Sequence, residues 1–241
     1  MTQITELDSD ARLGVAGPVL RAVGITTGFG AVPYVRGLDL EVAAGEVLAL
    51  LGANGAGKTT TLMALAGHLR LVEGHVELDG EVQQHGMDER ARKGVAVVTQ
   101  ERCVFMGLSV RDNLRLGRGS IEDALALFPE LEPHLHRHVG LLSGGQQQIL
   151  AVARALAGRP KVLLADEISL GLAPLIVERL LAAVADAART MGMAVVLVEQ
   201  HVQQALSYAD RGVILQRGRL QLESTSADLL RRKDEVAALY L

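Results

Sequence analysis

Of 241 residues only one is cysteine, Cys103, so no disulfide forms within the chain, and the sequence fits a reducing, cytoplasmic compartment. Tryptophan is absent, phenylalanine and tyrosine number three each, and the formal net charge is −4. So few rings and so little positive charge provide neither stacking platforms nor an electrostatic footprint for nucleic acid, which is not expected as a partner. The longest apolar runs, VLALLG and AVVLV, fall far short of the roughly 20 residues a membrane-spanning helix requires, so any membrane association is expected to go through a partner. The first residues, MTQITELDSDARLG, contain acids and lack the apolar stretch of a secretory leader; residues 1–19 are expected to form a loose extension.

Glycine is plentiful by contrast, with 26 residues, many in short clusters that suggest sites lined by backbone. A chain of this length buries a substantial core as one large domain or as one domain with an embedded lobe. Short β-branched or leucine-rich runs at 47–51, 95–98, 162–165 and 195–198 are mostly separated by longer helical patterns, which predicts a buried parallel sheet with helices on its faces. LRAVGITTGFG and GLDLEVAAG alternate like half-exposed strands, and VILQRGRLQL reads as a hairpin turning at Arg217-Gly218, so an antiparallel β flank is expected as well. Over residues 109–141 the pattern turns helical and polar, with Ser109 and Asp112 spaced as a capping box. The expectation is an α/β domain over 20–241 with a small helical lobe inserted at about 109–158.

The strongest chemical signal is GANGAGKTT at 52–60, directly after VLALL and directly before the helical TLMALAGHL. This is a P-loop in its strand-loop-helix setting. Its glycines, Gly52, Gly55 and Gly57, let the loop wrap with Asn54 so that backbone N–H groups converge on phosphates, and the helix opening at Lys58, Thr59 and Thr60 adds its positive end. Lys58 supplies charge to the outer phosphates and Thr59 a hydroxyl to Mg2+. A second strand, KVLLADE, ends in Asp166 and Glu167 where a parallel sheet opens its ligand crevice. There Asp166 is suited to hold magnesium and Glu167 to poise a water, although acids after strands also serve as helix caps. Ser143, Gly144, Gly145 and Gln146 open an apolar-striped helix; locally they read as a capping box, and equally as a second anion site made of a hydroxyl and two unshielded amides.

With LSGGQ at 142–146 added to the P-loop, the chain resembles the ABC ATPase family from Leu20 onward. The resemblance implies a P-loop NTPase fold that binds ATP and Mg2+ and hydrolyses ATP, and two ATPase subunits facing head to tail so that the signature of one closes on the γ-phosphate held by the other. It implies that Phe29, followed by Gly30, stacks on adenine, and that Gln100 senses magnesium and γ-phosphate. Three positions depart from the family: Ile168 stands where a proline follows the catalytic glutamate, Ala173 replaces an aspartate, and Gln200 occupies the switch position with His201 one residue later. Either Gln200 or His201 is a candidate to approach the γ-phosphate. GANGAGKTTTL, ALFPEL, SLGLAP, LVEQ and ADRG together look like an ATPase subunit of branched-chain amino-acid import systems or their amide and urea relatives. In those, paired ATPases sit on the inner face of the membrane beneath permease subunits, and an external substrate-binding protein delivers the solute. Two rivals remain: a soluble ABC ATPase acting on nucleic acid or ribosomes, which generally carries two cassettes or a long coiled coil not present here, and a non-catalytic ATP-binding partner, which Glu167 argues against and Ala173 and Gln200 leave open. Among lesser signals, the alternating His134, His136 and His138 read as a solvated loop before they read as a zinc site, and the mixed-charge tail is expected to pack on the sheet domain or a neighbour.

Overall fold

The structure is a computed structural model that describes residues 17–29, 32–84 and 86–240. The first strands are β1 (Leu20–Phe29), β2 (Val32–Val42) and β3 (Val47–Leu51), followed by α1 (Lys58–Leu65), β4 (Leu71–Leu78), β5 (Glu81–Val82), α2 (Met87–Arg92) and β6 (Val95–Val98). A helical stretch with α3 (Val110–Arg115), α4 (Ile121–Leu127) and α5 (Gly144–Ala157) leads to β7 (Val162–Asp166). After it come α6 (Pro174–Met191), β8 (Ala194–Val198), α7 (Val202–Tyr208), β9 (Arg211–Gln216), β10 (Arg219–Thr225), α8 (Ser226–Arg231) and α9 (Lys233–Ala238).

Six of the strands form one sheet in the order β10-β9-β3-β8-β7-β6, parallel except for β10. Helices cover both faces of its centre, so β3, β7 and β8 are buried at every residue and read as apolar runs, broken only by Asp166 at the end of β7. A second, antiparallel sheet runs β2-β1-β4-β5. Its strands alternate between buried and exposed residues, because one face packs on the core formed with α1 and the other meets solvent. The hairpin turns where expected, with Arg217 at φ 51° and Gly218 at φ 75°, the two left-handed residues of a type I′ turn. A side chain at Gly218 would drive into the Tyr34 carbonyl, so only glycine fits. Its first arm, however, is β9, which pairs in parallel with β3; the hairpin extends the main sheet and the flank is a separate set of strands.

The segment between β6 and β7 is helical. Ser109 and Ser120 cap α3 and α4, each accepting a backbone N–H three residues on, from Asp112 at 3.1 Å and Asp123 at 3.0 Å. Asp112 in turn accepts the Ser109 hydroxyl, and the Ser109 backbone N–H also favours its carboxylate. Phe128 and Leu131 are buried with Leu150 and Leu156 of α5 and with α6 in one core. Of the N-terminal extension, residues 1–16 lie outside the described residues; Val19 is already tied to the flank, its N–H to Val42 at 3.0 Å and its carbonyl to Asp79 at 2.9 Å. The tail packs on the sheet domain, as Leu229 of α8 and Val236 of α9 join Leu51, Leu206 and Ile214 in a third apolar cluster. Among the described residues no helix is long and apolar enough to cross a membrane.

Candidate functional site: a phosphate cradle at the carboxyl edge of the sheet

Loops leaving the carboxyl ends of β3, β6, β7 and β8 meet at one edge, where parallel α/β sheets open their ligand crevice. A cleft of about 490 Å³ lies there, lined by Phe29, Tyr34, Asn54, Gly55, Gly57, Lys58, Thr59, Thr60, Gln100, Glu167, Leu170 and Gln200. The P-loop forms its floor. Gly52, Gly55 and Gly57 have φ of 147°, 80° and 106°, which fold the chain into a concave run of N–H groups ahead of α1. Gly52 is required on a second ground, since a Cβ there would stand 2.3 Å from the Leu215 carbonyl oxygen. The loop is also held from behind: the buried Gly52 N–H donates to the Tyr240 hydroxyl at 2.9 Å.

Lys58 is buried at 5% exposure, and its ammonium donates to the Gly52 and Ala53 carbonyls at 2.8 and 3.2 Å. Those carbonyls take two of its three protons. Burial pulls its pKa below the usual lysine value, opposed by the charges of Glu167 and Asp166. Thr59 faces solvent at the start of α1, while Thr61 turns inward and donates to the Gly57 carbonyl at 2.9 Å. Asp166, at the end of β7, is 5% exposed. Burial raises its pKa, with the Thr59 hydroxyl bond and Lys58 pulling the other way. Its Oδ1 is buried and has no hydrogen-bond partner. An unsatisfied buried carboxylate oxygen normally costs about 1–3 kcal/mol or more, so this atom is suited to a cation or its water.

The next residue, Glu167, has φ 49°, a left-handed conformation that costs a non-glycine residue on the order of 1 kcal/mol and is held from outside. The hold comes from β8: Glu167 N–H donates to the Val198 carbonyl at 2.9 Å, and the Gln200 side-chain amide donates to Glu167 Oε2 at 2.8 Å. Gln200 therefore faces the cleft beside Glu167. His201 does not line it; it is the residue ahead of α7 and lies on an exposed surface with Val202, Gln203 and Gln204. Gln100 lines the cleft from the end of β6. Phe29 is 60% exposed rather than a core residue, and its ring meets Tyr34 edge-on with centroids 5.8 Å apart. Gly30, expected beside it, lies outside the described residues. Tyr34 was not expected in the site: as one ring in an alternating strand it carries no sequence signal of its own.

Ser143, Gly144, Gly145 and Gln146 are not among the residues that line the cleft. They form the N-terminus of α5 as a complete capping box, with Gln146 N–H donating to Ser143 Oγ at 3.3 Å and Ser143 N–H to Gln146 Oε1 at 3.0 Å. Ile176 of α6 and the Arg102 guanidinium lie close over Gly145 and Gly144, where any side chain would crowd them. His134 is bonded to the Gln146 side chain at 3.0 Å, and His138 to the Gly107 carbonyl at 3.0 Å. Among the described residues no group of three or more His, Cys, Asp or Glu is placed to hold a metal ion. Of the departures from the family pattern, Ile168 is buried at 1% exposure, and Ala173 precedes α6 without any side-chain cap.

Residues 35–169 match the ABC transporter family. The chain is 39% identical over 86% of its length, and 92% of the relative's, to the high-affinity branched-chain amino acid transport ATP-binding protein BraG of Pseudomonas aeruginosa. It is 34% identical over 92% of its length, and 65% of the relative's, to the Fe(3+) ions import ATP-binding protein FbpC of Mesorhizobium japonicum. A solved ATP-binding subunit of an ABC transporter superposes with a TM-score of 0.80 at 26% identity, covering 91% of this chain and 98% of its own. The matched segment contains the phosphate cradle, the carboxyl edge of β7 and the LSGGQ helix start, and the chain belongs to the ABC transporter family as its ATP-binding, ATP-hydrolysing cassette.

Proposed function

We propose that this chain is the motor subunit of an importer for branched-chain amino acids or related small polar solutes, working on the inner face of the membrane beneath permease subunits. An external substrate-binding protein would choose the solute. The LVEQ and SLGLAP segments and the likeness to BraG support the solute class, and the likeness to FbpC is the competing indication. The observation that carries the motor reading is that the chain holds a phosphate cradle with Glu167 beside it, while the LSGGQ helix start stands outside that cleft. Each half needs a facing surface, which a second ATPase subunit, identical or different, supplies.

In this reading Phe29, with Tyr34 against its edge, offers the face on which adenine stacks. Asn54, Gly55, Gly57 and Thr60 surround the phosphates, and Lys58 adds a charge-assisted contact. Glu167 orients the attacking water, and Gln200, bonded to its carboxylate, stands at the switch position. Ser143 and the amides of Gly144 and Gly145 receive the γ-phosphate held by the facing subunit. The hydroxyl of Thr59, the carboxylate of Asp166 and the carbonyl oxygen of Gln100 are the hard oxygen donors Mg2+ prefers, and the partnerless Asp166 Oδ1 fits that use. When bound, the ion would offset phosphate charge.

Glu167→Gln tests the assignment. It should keep ATP binding, lose hydrolysis by on the order of 10²- to 10⁴-fold, and accumulate ATP-bound dimers. Turnover of the wild-type chain should rise with concentration or with a partner ATPase. Full activity from a strictly monomeric species would overturn the composite site, and uptake of another solute class by the reconstituted complex would overturn the solute reading.

A further inference from the structure

Glu199 is a carboxyl with 2% exposure, next to the cleft but not among the residues that line it. Glutamate is almost never buried without a pairing partner. Its partners here are the donors of one turn. Ser169 N–H donates to Glu199 Oε1 at 3.2 Å, the Ser169 hydroxyl donates to Oε2, and the Gln200 backbone also supports it. Both carboxylate oxygens are thus spent on Ser169, 30 residues away in sequence, in the turn that carries Glu167.

The end of β8 and this turn are joined by four bonds in sequence order. Val198 receives the Glu167 N–H, Glu199 receives both donors of Ser169, and Gln200 donates to the Glu167 carboxylate. Between the two clamped residues sits Ile168, where the family pattern has a proline that fixes φ by itself. A ring at 168 would fix φ only at its own position, so the left-handed φ of 49° at Glu167 is held by its bonded neighbours on β8.

We propose that Glu199 is a positioning residue for ATP hydrolysis: its carboxylate clamps Ser169 to the end of β8 and thereby sets where Glu167 and Gln200 stand relative to each other. This rests on the reading of Glu167 as the group that orients water. A merely space-filling role would be served better by an apolar side chain, because burial of the charge is costly. That burial, reinforced by the neighbouring Glu167 charge and opposed by the Ser169 and Gln200 donors, pushes Glu199 up to about 7.

The test is steady-state ATPase on the full chain with its partner subunits, with ATP binding and melting measured on the same preparations. Glu199→Ala should lower kcat by on the order of 10- to 100-fold with the KM for ATP nearly unchanged, as expected when a misplaced group fails only in the transition state. Glu199→Gln should restore kcat, since its carbonyl accepts the Ser169 N–H and its amide can donate to the Ser169 hydroxyl. Should Glu199→Ala melt below the assay temperature, Ser169→Ala removes the hydroxyl donor alone and carries the same expectation in milder form. Wild-type kcat in Glu199→Ala or Ser169→Ala, or a Glu199→Gln variant as slow as Glu199→Ala, would overturn the clamp. Glu167→Gln separates the two readings: if that variant still turns over while Glu199→Ala is impaired, the water-orienting role falls and the clamp acts on Gln200.

Discussion

Replacing Tyr240 with phenylalanine isolates one contact that links the end of the chain to the start of the P-loop. The ring sits in the apolar groove between α7, α8 and α9, beside Leu206, Leu229 and Val236, and phenylalanine keeps that packing. What disappears is the hydroxyl that accepts the Gly52 N–H at 2.9 Å. Gly52 is buried, so its N–H has no ready access to water, and a buried donor left without a partner costs about 1–3 kcal/mol. For a chain of this size that is a fall in melting temperature of roughly 2–12 °C. Burial raises the Tyr240 pKa to about 12, so the hydroxyl stays neutral and the loss should not vary between pH 6 and 9. Because Gly52 begins the phosphate loop, ATP should also bind more weakly, while kcat at saturating ATP should change little. Scanning calorimetry and urea melts, with nucleotide titrations on the same samples, measure both. A Tyr240→Phe variant that melts within 1 °C of wild type and binds ATP unchanged would refute the argument.

Much of the architecture is legible in sequence for a physical reason. Strands β3, β7 and β8 are covered on both faces, so apart from Asp166 at the carboxyl end of β7 they are apolar at every position and stand out as runs. β4 did not stand out. Its sequence LVEGHVEL is half exposed, and Gly74, at φ 76°, interrupts the pairing with β1 where its backbone approaches Val23 and Gly24. The turn at Arg217-Gly218 is visible as local chemistry, but whether its first arm joins the flank or β3 is a matter of tertiary pairing.

The site divides along the same line. The P-loop and the Asp166-Glu167 pair are contiguous, and each sits where its strand leaves the sheet. Phe29 is by default a core residue; its exposure follows from its position at the last residue of β1, at the cleft mouth. Between Gln200 and His201, sequence leaves the choice open because they are adjacent, whereas the structure points the first at Glu167 and leaves the second outside the cleft. Glu199 is part of the LVEQ segment, but nothing in the sequence marks it as buried, since a glutamate after an apolar strand looks solvated until Ser169 is found against it. Tyr240 and Gly52 lie 188 residues apart, and no periodicity joins them.

Lys58→Ala removes a buried charge from the cradle and two bonds to loop carbonyls; ATP affinity should fall about 10- to 100-fold in a titration with labelled nucleotide, and wild-type affinity would exclude Lys58 from the site. Ala173→Asp should stabilise the chain by about 0.5–2 kcal/mol in urea melts, because α6 begins at Pro174 with no side-chain cap and the new carboxylate can accept one of its free N–H groups; no gain would mean the cap geometry is not reached. The last expectation concerns pH. Glu199 is raised from 4.5 to about 7 by burial, so the folded chain holds this proton more tightly than the unfolded chain does. Its contribution to stability is complete below pH 4.5, is lost as pH rises through 7, and amounts to about 3 kcal/mol in all. Asp166 shifts in the same direction, so the wild-type curve alone does not isolate Glu199. The difference between wild type and Glu199→Gln does, because the amide does not titrate. Relative to wild type, the variant should gain about 3 kcal/mol between pH 4.5 and 8, and parallel stability curves would show that Glu199 ionises as freely folded as unfolded. A chain that keeps such a carboxyl gives up stability at neutral pH, which is the expected pattern for a group retained to hold Glu167 and Gln200 in register rather than to hold the fold.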